Sequence, residues 1–449
     1  MSDILTQSNE WLNDDTDVAA LVMRQWLKPV EEVAFGDEEK AVIFPPTYAT
    51  PERVKEEDWT GYNIDRFEDK TSVCQLDSVG SQANRMEPIF KRKEYKSLVP
   101  EVIIQTNNGP INLLNAGHRA ADAIVRFTFG PGSPDEGQEG EAESLGQQLW
   151  DAYEAWNKYG DAEKLARIAP TSIVFGSWDS RATQAKLPRI VRSVIRAYDV
   201  KVLHRSAQYA TIAGEILEGG DAEVTTKGPK AELGLAHVPA VKTHGGIEVH
   251  GNIRRDAMIN LVAIRALGVS SDTNGDVLRL RRYILGLALV ALTARQGSCL
   301  REGCHLVQDP AKPPQWSFVR HDGSKGVPPT LDDDSVKAFA LAAADEFGVK
   351  TGTITATFDP DLANAVLGIK DSKVRKKLLR QGPVTKGTVA QLTGGNGPAW
   401  NTMNKDELKA ECERRGLATD GTKKVLVDRL QESEVAAQQD DASGTEADS

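Results

Sequence analysis

Apolar residues recur along the chain in short runs between polar turns, and their spacing predicts both strands and helices. AALVMRQWLKPV (19–30), VCQLD (73–77), EVIIQ (101–105), WSFVRH (316–321) and TGTITATF (351–358) read as strands. TSIVFGSWDS (171–180) reads as a buried strand ending in a polar turn, and AVIFPPTYATPE (41–52) as an extended surface segment because of its prolines. NAGHRAADAIVRFTF (115–129) has the pattern of an amphipathic helix. LGQQLWDAYEAWNKYGDAEKLARIA (145–169) also reads as a helix, its stripe of Trp150, Tyr153, Trp156 and Tyr159 expected in the core. NIRRDAMINLVAIRALG (252–268) belongs to the core as well. VLRLRRYILGLALVALTARQG (277–297) predicts a helix buried on most sides, and DDDSVKAFALAAADEFGV (332–349) one whose acidic first turn suits the helix dipole. LPRIVRSVIRAYDV (187–200) stays open. As a helix it aligns Arg189, Arg192 and Arg196 on one face; as a strand it is expected to lose that alignment.

Helices and strands are interspersed, without βαβ units carrying glycine-rich phosphate turns, so the expected class is α+β. Residues 130–144 are a loop by composition, and 215–251, with no sustained period, resemble a protruding hairpin or insertion. Residues 376–400 read as a linker. After it, MNKDELKAECERRGLATDGTKKVLVDRL (403–430) is a self-contained pattern. One helix carries Leu408 and Cys412, a turn follows at Gly416, and Gly421 precedes a second helix with Val425, Leu426 and Leu430. The acidic tail 433–449 is expected to be disordered.

Composition changes this picture little: of 449 residues 40% are hydrophobic and 27% charged, as in ordinary globular proteins. The longest strongly apolar run, 283–294, falls well short of the roughly 20 residues that span a bilayer. The acidic start lacks the order of a signal peptide, and four cysteines make no disulfide framework, so a cytoplasmic protein without membrane contact is expected. Charge matters more. Residues 1–70, 132–163 and 431–449 carry −10, −8 and −6 against −11 for the whole chain, which leaves +13 elsewhere. That segregation permits a positive groove on a nominally acidic protein, although acidic loops kept for solubility give the same numbers.

Candidate chemistry is sparse. GxSxG, HExxH and GxxxxGK[ST] patterns are missing from the sequence. His244 and His250 lie near Glu248, and Cys299, Cys304 and His305 lie together, but no second close pair completes a zinc set. Neither a metal nor a cofactor is expected. Asp77, Asp179 and Asp256 sit near polar residues where a nuclease needs them, although single aspartates are more often caps or turn formers. QLDSVGSQANRMEPIFKRK (75–93) places Ser78, Ser81, Gln82 and Asn84 at a helix start, with Arg85 one turn in, and closes on Lys91, Arg92 and Lys93. Such a start can seat a phosphate, or be a capped helix with a solvated basic flank. Further cations recur at Arg181, Lys186, Arg189, Arg192, Arg196, Lys201 and Arg205, at Lys227, Lys230, Lys242, Arg254 and Arg255, and at Arg279, Arg281 and Arg282. Their spread over many elements suits a long polyanion better than a pocket.

Five ordered blocks carry a resemblance: VIFPPTYA (42–49), YNID (62–65), LDSVGSQANRMEPIF (76–90), IVFGSWDSRATQAKLPRIVRSVIRAYDV (173–200) and LREGCHLV (300–307). Together they resemble the backbone subunit of type I-G (formerly I-U) CRISPR effector complexes, the Cas-seven family of the RAMP superfamily, over about residues 19–370. The resemblance implies a ferredoxin-like, RRM-type palm with finger and thumb insertions across 1–375, the thumb within 215–251. It implies copies of the chain polymerised along a CRISPR RNA, with other Cascade subunits, a recruited nuclease-helicase and target DNA as partners, and no cutting by this subunit. Carried over, guide contact falls to Ser78, Ser81, Gln82, Asn84, Arg85, Lys91, Arg92, Arg181, Lys186, Arg189, Lys242, Arg254 and Arg255. Residues 401–432 resemble a SAP motif, which implies DNA contact through Lys423, Lys424 and Arg429, or a protein-contact role. Two rival readings are a metal-dependent ribonuclease using Asp77 or Asp179 and a stand-alone SAP-type DNA-binding protein.

Overall fold

The structure is a computed structural model that describes residues 2–31, 33–35, 38–55, 58–129, 144–209, 228–235, 238–270, 274–297, 299–350, 352–393, 403–430 and 433. The chain forms two units. The first comprises 1–100, 160–176 and 187–351, the second 101–159, 177–186 and 352–449.

The first unit is organised by β1 (Val18–Pro29), β2 (Ser72–Asp77), α1 (Val79–Met86), β3 (Val191–Tyr198), β4 (Ile253–Asn260), α2 (Asn274–Thr293), β5 (Gln315–Arg320) and α3 (Asp333–Phe347). The strands pair antiparallel in the order β5–β1–β4–β3–β2, the middle of a nine-stranded sheet. Alternation along each strand sends odd-numbered residues of β1, β3 and β4 inward, and there α1 and α2 meet them. Gln82 of α1 reaches Ser193 of β3, and Arg255 of β4 reaches the Leu292 carbonyl of α2. The body of α2 is buried as its apolar sequence predicts, since α3 covers its far side so closely that a Cβ on Gly286 would stand 3.0 Å from Ala340 Cα. Each buried leucine or isoleucine there contributes about 1.5–3 kcal/mol of transfer free energy.

A second sheet of this unit is a long hairpin, Val200–Tyr209 against Val238–Val249, extended by Glu38–Ile43 and Val33–Phe35. The hairpin expected within 215–251 thus begins earlier in the chain, and 210–227 and 236–237 lie outside the described residues. Gly246 (φ +86°) lets this hairpin approach its neighbour, because a Cβ there would stand 2.5 Å from the Ile43 carbonyl oxygen.

The second unit holds a small sheet in which Glu101–Gln105 and Thr353–Phe358 run parallel, flanked by Ile111–Asn112 and Thr128–Phe129. Beyond it, helices Pro360–Gly368, Ser372–Gln381 and Lys386–Thr393 share a core of Leu362, Val366, Leu378, Val384 and Val389. Much of the stretch expected as a linker, 376–400, is therefore helical, and 394–400 lies outside the described residues. Helix Lys405–Arg414 opens with a capping box between Asn404 and Glu407, and residues 423–430 form a second helix. Leu408, Cys412, Leu426, Val427 and Leu430 make their shared core, with Val427 in the inward place expected for Val425.

Three segments differ from their expected form. Residues 115–129 are 3-10 turns, a one-turn helix at Ala123–Arg126 and a short strand, because Asp122 caps its own backbone at Ile124. Pro170 starts a helical turn at Thr171–Val174 where a strand was expected, and Gly176 (φ +75°) then reverses the chain. The helix at 145–169 breaks at Gly160 (φ +67°), and Tyr159 is exposed rather than part of a core stripe. The mixed α+β class holds, with an antiparallel main sheet.

Candidate nucleic-acid interface

The outer face of the main sheet carries basic and aromatic side chains. Register sets Trp26, Arg254 and Arg196 in one row across β1, β4 and β3, and Arg24 beside Asp256 in the next. Asp256 lies 2.8 Å from Arg254, 3.8 Å from Arg196 and 4.0 Å from Arg24. Tyr198 donates its hydroxyl to Asp256 at 3.2 Å and accepts from Arg254 at 2.9 Å, and the Arg254 guanidinium lies 4.8 Å above its ring. Three guanidinium groups thus share one carboxylate and keep a surplus of positive charge. The Arg24 side chain is 51% exposed and those of Arg196, Arg254 and Asp256 are only partly so, at 31%, 26% and 23%. Such part-exposed pairs orient the cations more than they stabilise the fold. The segment 187–200 is a strand, and Arg192 and Arg196 keep a common face, because a spacing of four is also even; Arg189 precedes the strand.

The opposite face receives the residue next door. Arg255 is buried and donates to Ser193 Oγ at 2.9 Å and to the Leu292 carbonyl at 3.4 Å. Burial lowers its guanidinium to about 10, still protonated at neutral pH. Ser193 in turn donates to Gln82 Oε1 at 2.8 Å, and Gln82 donates to Asp77 at 2.6 Å. Arg85 donates to the same Asp77 carboxylate at 3.1 Å and to the carbonyls of Cys299 and Leu300. Ser78 caps α1 through the Ser81 amide. Of the run 75–93, therefore, Gln82 and Asp77 are interior groups and Arg85 is a strap to the 299–300 strand; Asn84 and Lys91 are exposed, and Arg92 bonds the Arg295 carbonyl. Gln82 and Arg255 are corrected from guide contacts to members of a buried polar chain, since neither side chain reaches solvent. Arg281 likewise turns inward to the Leu12 carbonyl and Asp14, while Arg282 pairs with Glu346.

In the second unit, Asp179 is buried and staples the 177–186 loop. It accepts from the Ala182 and Thr183 amides, the Thr183 hydroxyl, and Arg126 at 2.7 Å. That loop leaves Arg181 and Lys186 exposed. In the C-terminal module Lys424 is exposed and Lys423 half-buried at the start of helix 423–430. Arg429 instead closes the preceding turn through the Ala418 and Asp420 carbonyls and the Asp420 carboxylate. Arg189 is exposed in the first unit. The side chain of Lys242, and with it any contact, lies outside the described residues.

Among the described residues no group of three or more His, Cys, Asp or Glu side chains is placed to hold a metal ion, and no helix is long and apolar enough to cross a membrane. Sequence reasoning missed Arg24, Trp26 and Tyr198. The alternation in 19–30 and 191–198 carried the signal, once both segments are strands.

An α+β protein with one helix-covered and one cationic, aromatic sheet face is the class that this geometry defines. Residues 21–202 match the model of the family described as CRISPR-associated protein GSU0053, and residues 399–434 match that of the SAP domain. The resemblance read from the motif blocks is borne out at that level. No curated protein matches the chain. One solved chain, from a structure titled "CRISPR RNA-guided surveillance complex, pre-nicking", aligns with 77% of this chain and 99% of its own at 11% identity and a TM-score of 0.31. That likeness is too distant to weigh.

Proposed function

We propose that the chain is a non-catalytic backbone subunit of a CRISPR interference complex in the cytoplasm. Several copies line up along one CRISPR RNA and hold it for pairing with target DNA, alongside other subunits and a recruited nuclease-helicase. The observation that carries this reading is the family match over 21–202, which spans the SQANRMEP and FGSWDS blocks. The strand order β5–β1–β4–β3 supports a ferredoxin-like palm, since β1 and β3 flank α1 in sequence and β4 and β5 flank α2. Its open face carries arginine and aromatic side chains of the kind that RRM-type sheets turn to RNA. Guanidinium groups held by Asp256 suit phosphate oxygens, which position a strand without reading its sequence. The hairpin of Val200–Tyr209 and Val238–Val249 is the natural thumb, and the SAP-like module is the element assigned to target DNA.

Co-expression with its guide tests this reading. The chain is expected to purify with RNA, to release it at high salt, and to keep it when residues 400–449 are deleted. RNA-free monomers under all conditions overturn the proposal, and loss of RNA on that deletion makes the chain a SAP-type binder instead.

A further inference from the structure

The 177–186 loop spends many hydrogen bonds on holding still, yet at its base it leaves a large aromatic ring in water. Trp178 is 57% exposed, the most exposed tryptophan among the described residues. Rigidity around it is high. Asp179 donates its amide to the Ala185 carbonyl at 2.9 Å and accepts the Gln184 amide at 3.0 Å, besides its four side-chain bonds. The loop is also fixed to helix Leu145–Tyr159, where Asn157 donates to the Thr183 carbonyl at 2.9 Å, Trp156 donates to the Lys186 carbonyl at 3.3 Å, and Tyr153 bonds Ser177 at 3.0 Å. Lys186 Nζ stands 5.8 Å from the Trp178 ring centroid, and Arg181 is exposed on the same loop.

An exposed indole on a mobile loop is unremarkable, because it can fold back onto apolar surface. An indole held out on a fixed loop, with two cations on that loop, has the parts of a nucleotide platform: a π-face for a base and positive charge for the phosphates beside it. We infer that Trp178 is a stacking platform for one unpaired base of a single-stranded RNA, with Lys186 and Arg181 holding the flanking phosphates. This inference rests on the proposed RNA-binding function and adds a base contact to it.

The test compares full-length wild type with Trp178→Ala, Trp178→Phe and Lys186→Ala by anisotropy of a labelled oligouridine and of an abasic ribose-phosphate strand of equal length. Trp178→Ala is expected to weaken oligouridine binding by about 5- to 150-fold, the range for loss of one base–aromatic stack. Trp178→Phe should restore most of that loss. On the abasic strand Trp178→Ala should match wild type, whereas Lys186→Ala should weaken both strands. Equal oligouridine affinity of wild type and Trp178→Ala overturns the platform while leaving RNA binding intact, and an equal loss on the abasic strand makes the ring a part of the fold instead. A wild type that binds neither strand and purifies free of guide RNA overturns the proposed function and the platform with it.

Discussion

Replacing Asp77 separates a structural strut from a catalytic carboxylate. Its side chain is 2% exposed and accepts the Gln82 amide at 2.6 Å and the Arg85 guanidinium at 3.1 Å. Through Gln82 and Ser193 it also ends the chain that begins at buried Arg255. Asp77→Ala removes the acceptor and the negative charge at once. A buried amide is then unsatisfied, at about 1–3 kcal/mol, and two cations lose their counter-charge. Removing one partner of a fully buried pair costs about 3–5 kcal/mol, but Arg85 is one-third exposed and water recovers part of that. The expected loss is about 3 kcal/mol. Asp77→Asn keeps the shape, and its Oδ1 in the place of the shared carboxylate oxygen can still accept from both Gln82 and Arg85, so its cost should lie well below that of alanine.

Because the chain has two units, one global unfolding midpoint is not the right readout. Cys74 and Cys304 are buried in the core beside β2 and report this unit alone. Pulse alkylation of these two thiols across a urea series should show Asp77→Ala opening about 1–3 M earlier than wild type, given slopes of about 1–3 kcal/mol per molar urea. The order should be wild type, Asn, Ala. An alanine variant that opens at the wild-type urea concentration refutes the strut. If an assembled complex with magnesium also cut complementary RNA, and only the Asp77 variants failed to, the ribonuclease reading would replace it.

Three other outcomes are expected. Replacing Arg24, Arg196 and Arg254 together with glutamine should weaken RNA retention and flatten its dependence on log salt by about 1.4 to 2, for two to three phosphate contacts at about 0.7 each; an unchanged slope refutes phosphate contact at this face. Burial pushes both the Cys74 and Cys304 thiols up to about 12 from 9, so in the native chain at pH 8 iodoacetamide should label exposed Cys299 and spare Cys74, Cys304 and Cys412, by mass spectrometry. The same shift favours folding fully below pH 9, and its contribution should disappear as pH rises from about 9 to 12, since the unfolded thiols ionise first. Gly246→Ala should open the hairpin, at a cost of about 1–2 kcal/mol for the left-handed backbone plus the clash with the Ile43 carbonyl, read as faster amide exchange over 238–249.

Much of the fold was legible because strand alternation and a long apolar helix are local signals. The runs at 19–30, 73–77, 101–105, 316–321 and 351–358 are strands, and 277–297 is largely helix. The site was less legible for a physical reason. Alternation fixes which residues share a face, but not which face the helices will cover. Arg254 and Arg255 look alike in sequence, yet one meets solvent beside Tyr198 and the other lies under α2. Gln82 in a polar run reads as surface, and only the fold shows Ser193 and Asp77 waiting for it. The Asp179 loop was misread as the end of a strand because Pro170 and Gly176, rather than hydrophobic period, decide its course.

Asp256 answers a difficulty that the outer face poses by itself. Arg254 and Arg196 stand directly opposite each other across β4 and β3, and like charges in that position destabilise a sheet. A carboxylate between them, also within 4.0 Å of Arg24, offsets the repulsion without neutralising the row. An exposed ion pair is worth about 0–1 kcal/mol, so an incoming phosphate can take over the half-exposed Arg24 donor at small cost while Asp256 keeps Arg196 and Arg254 aligned. An arginine row without the aspartate would pull harder on any polyanion but would strain the sheet that carries it. With the aspartate, the face can stay folded when empty and still exchange one phosphate for the next, as the proposed role of gripping an RNA backbone requires.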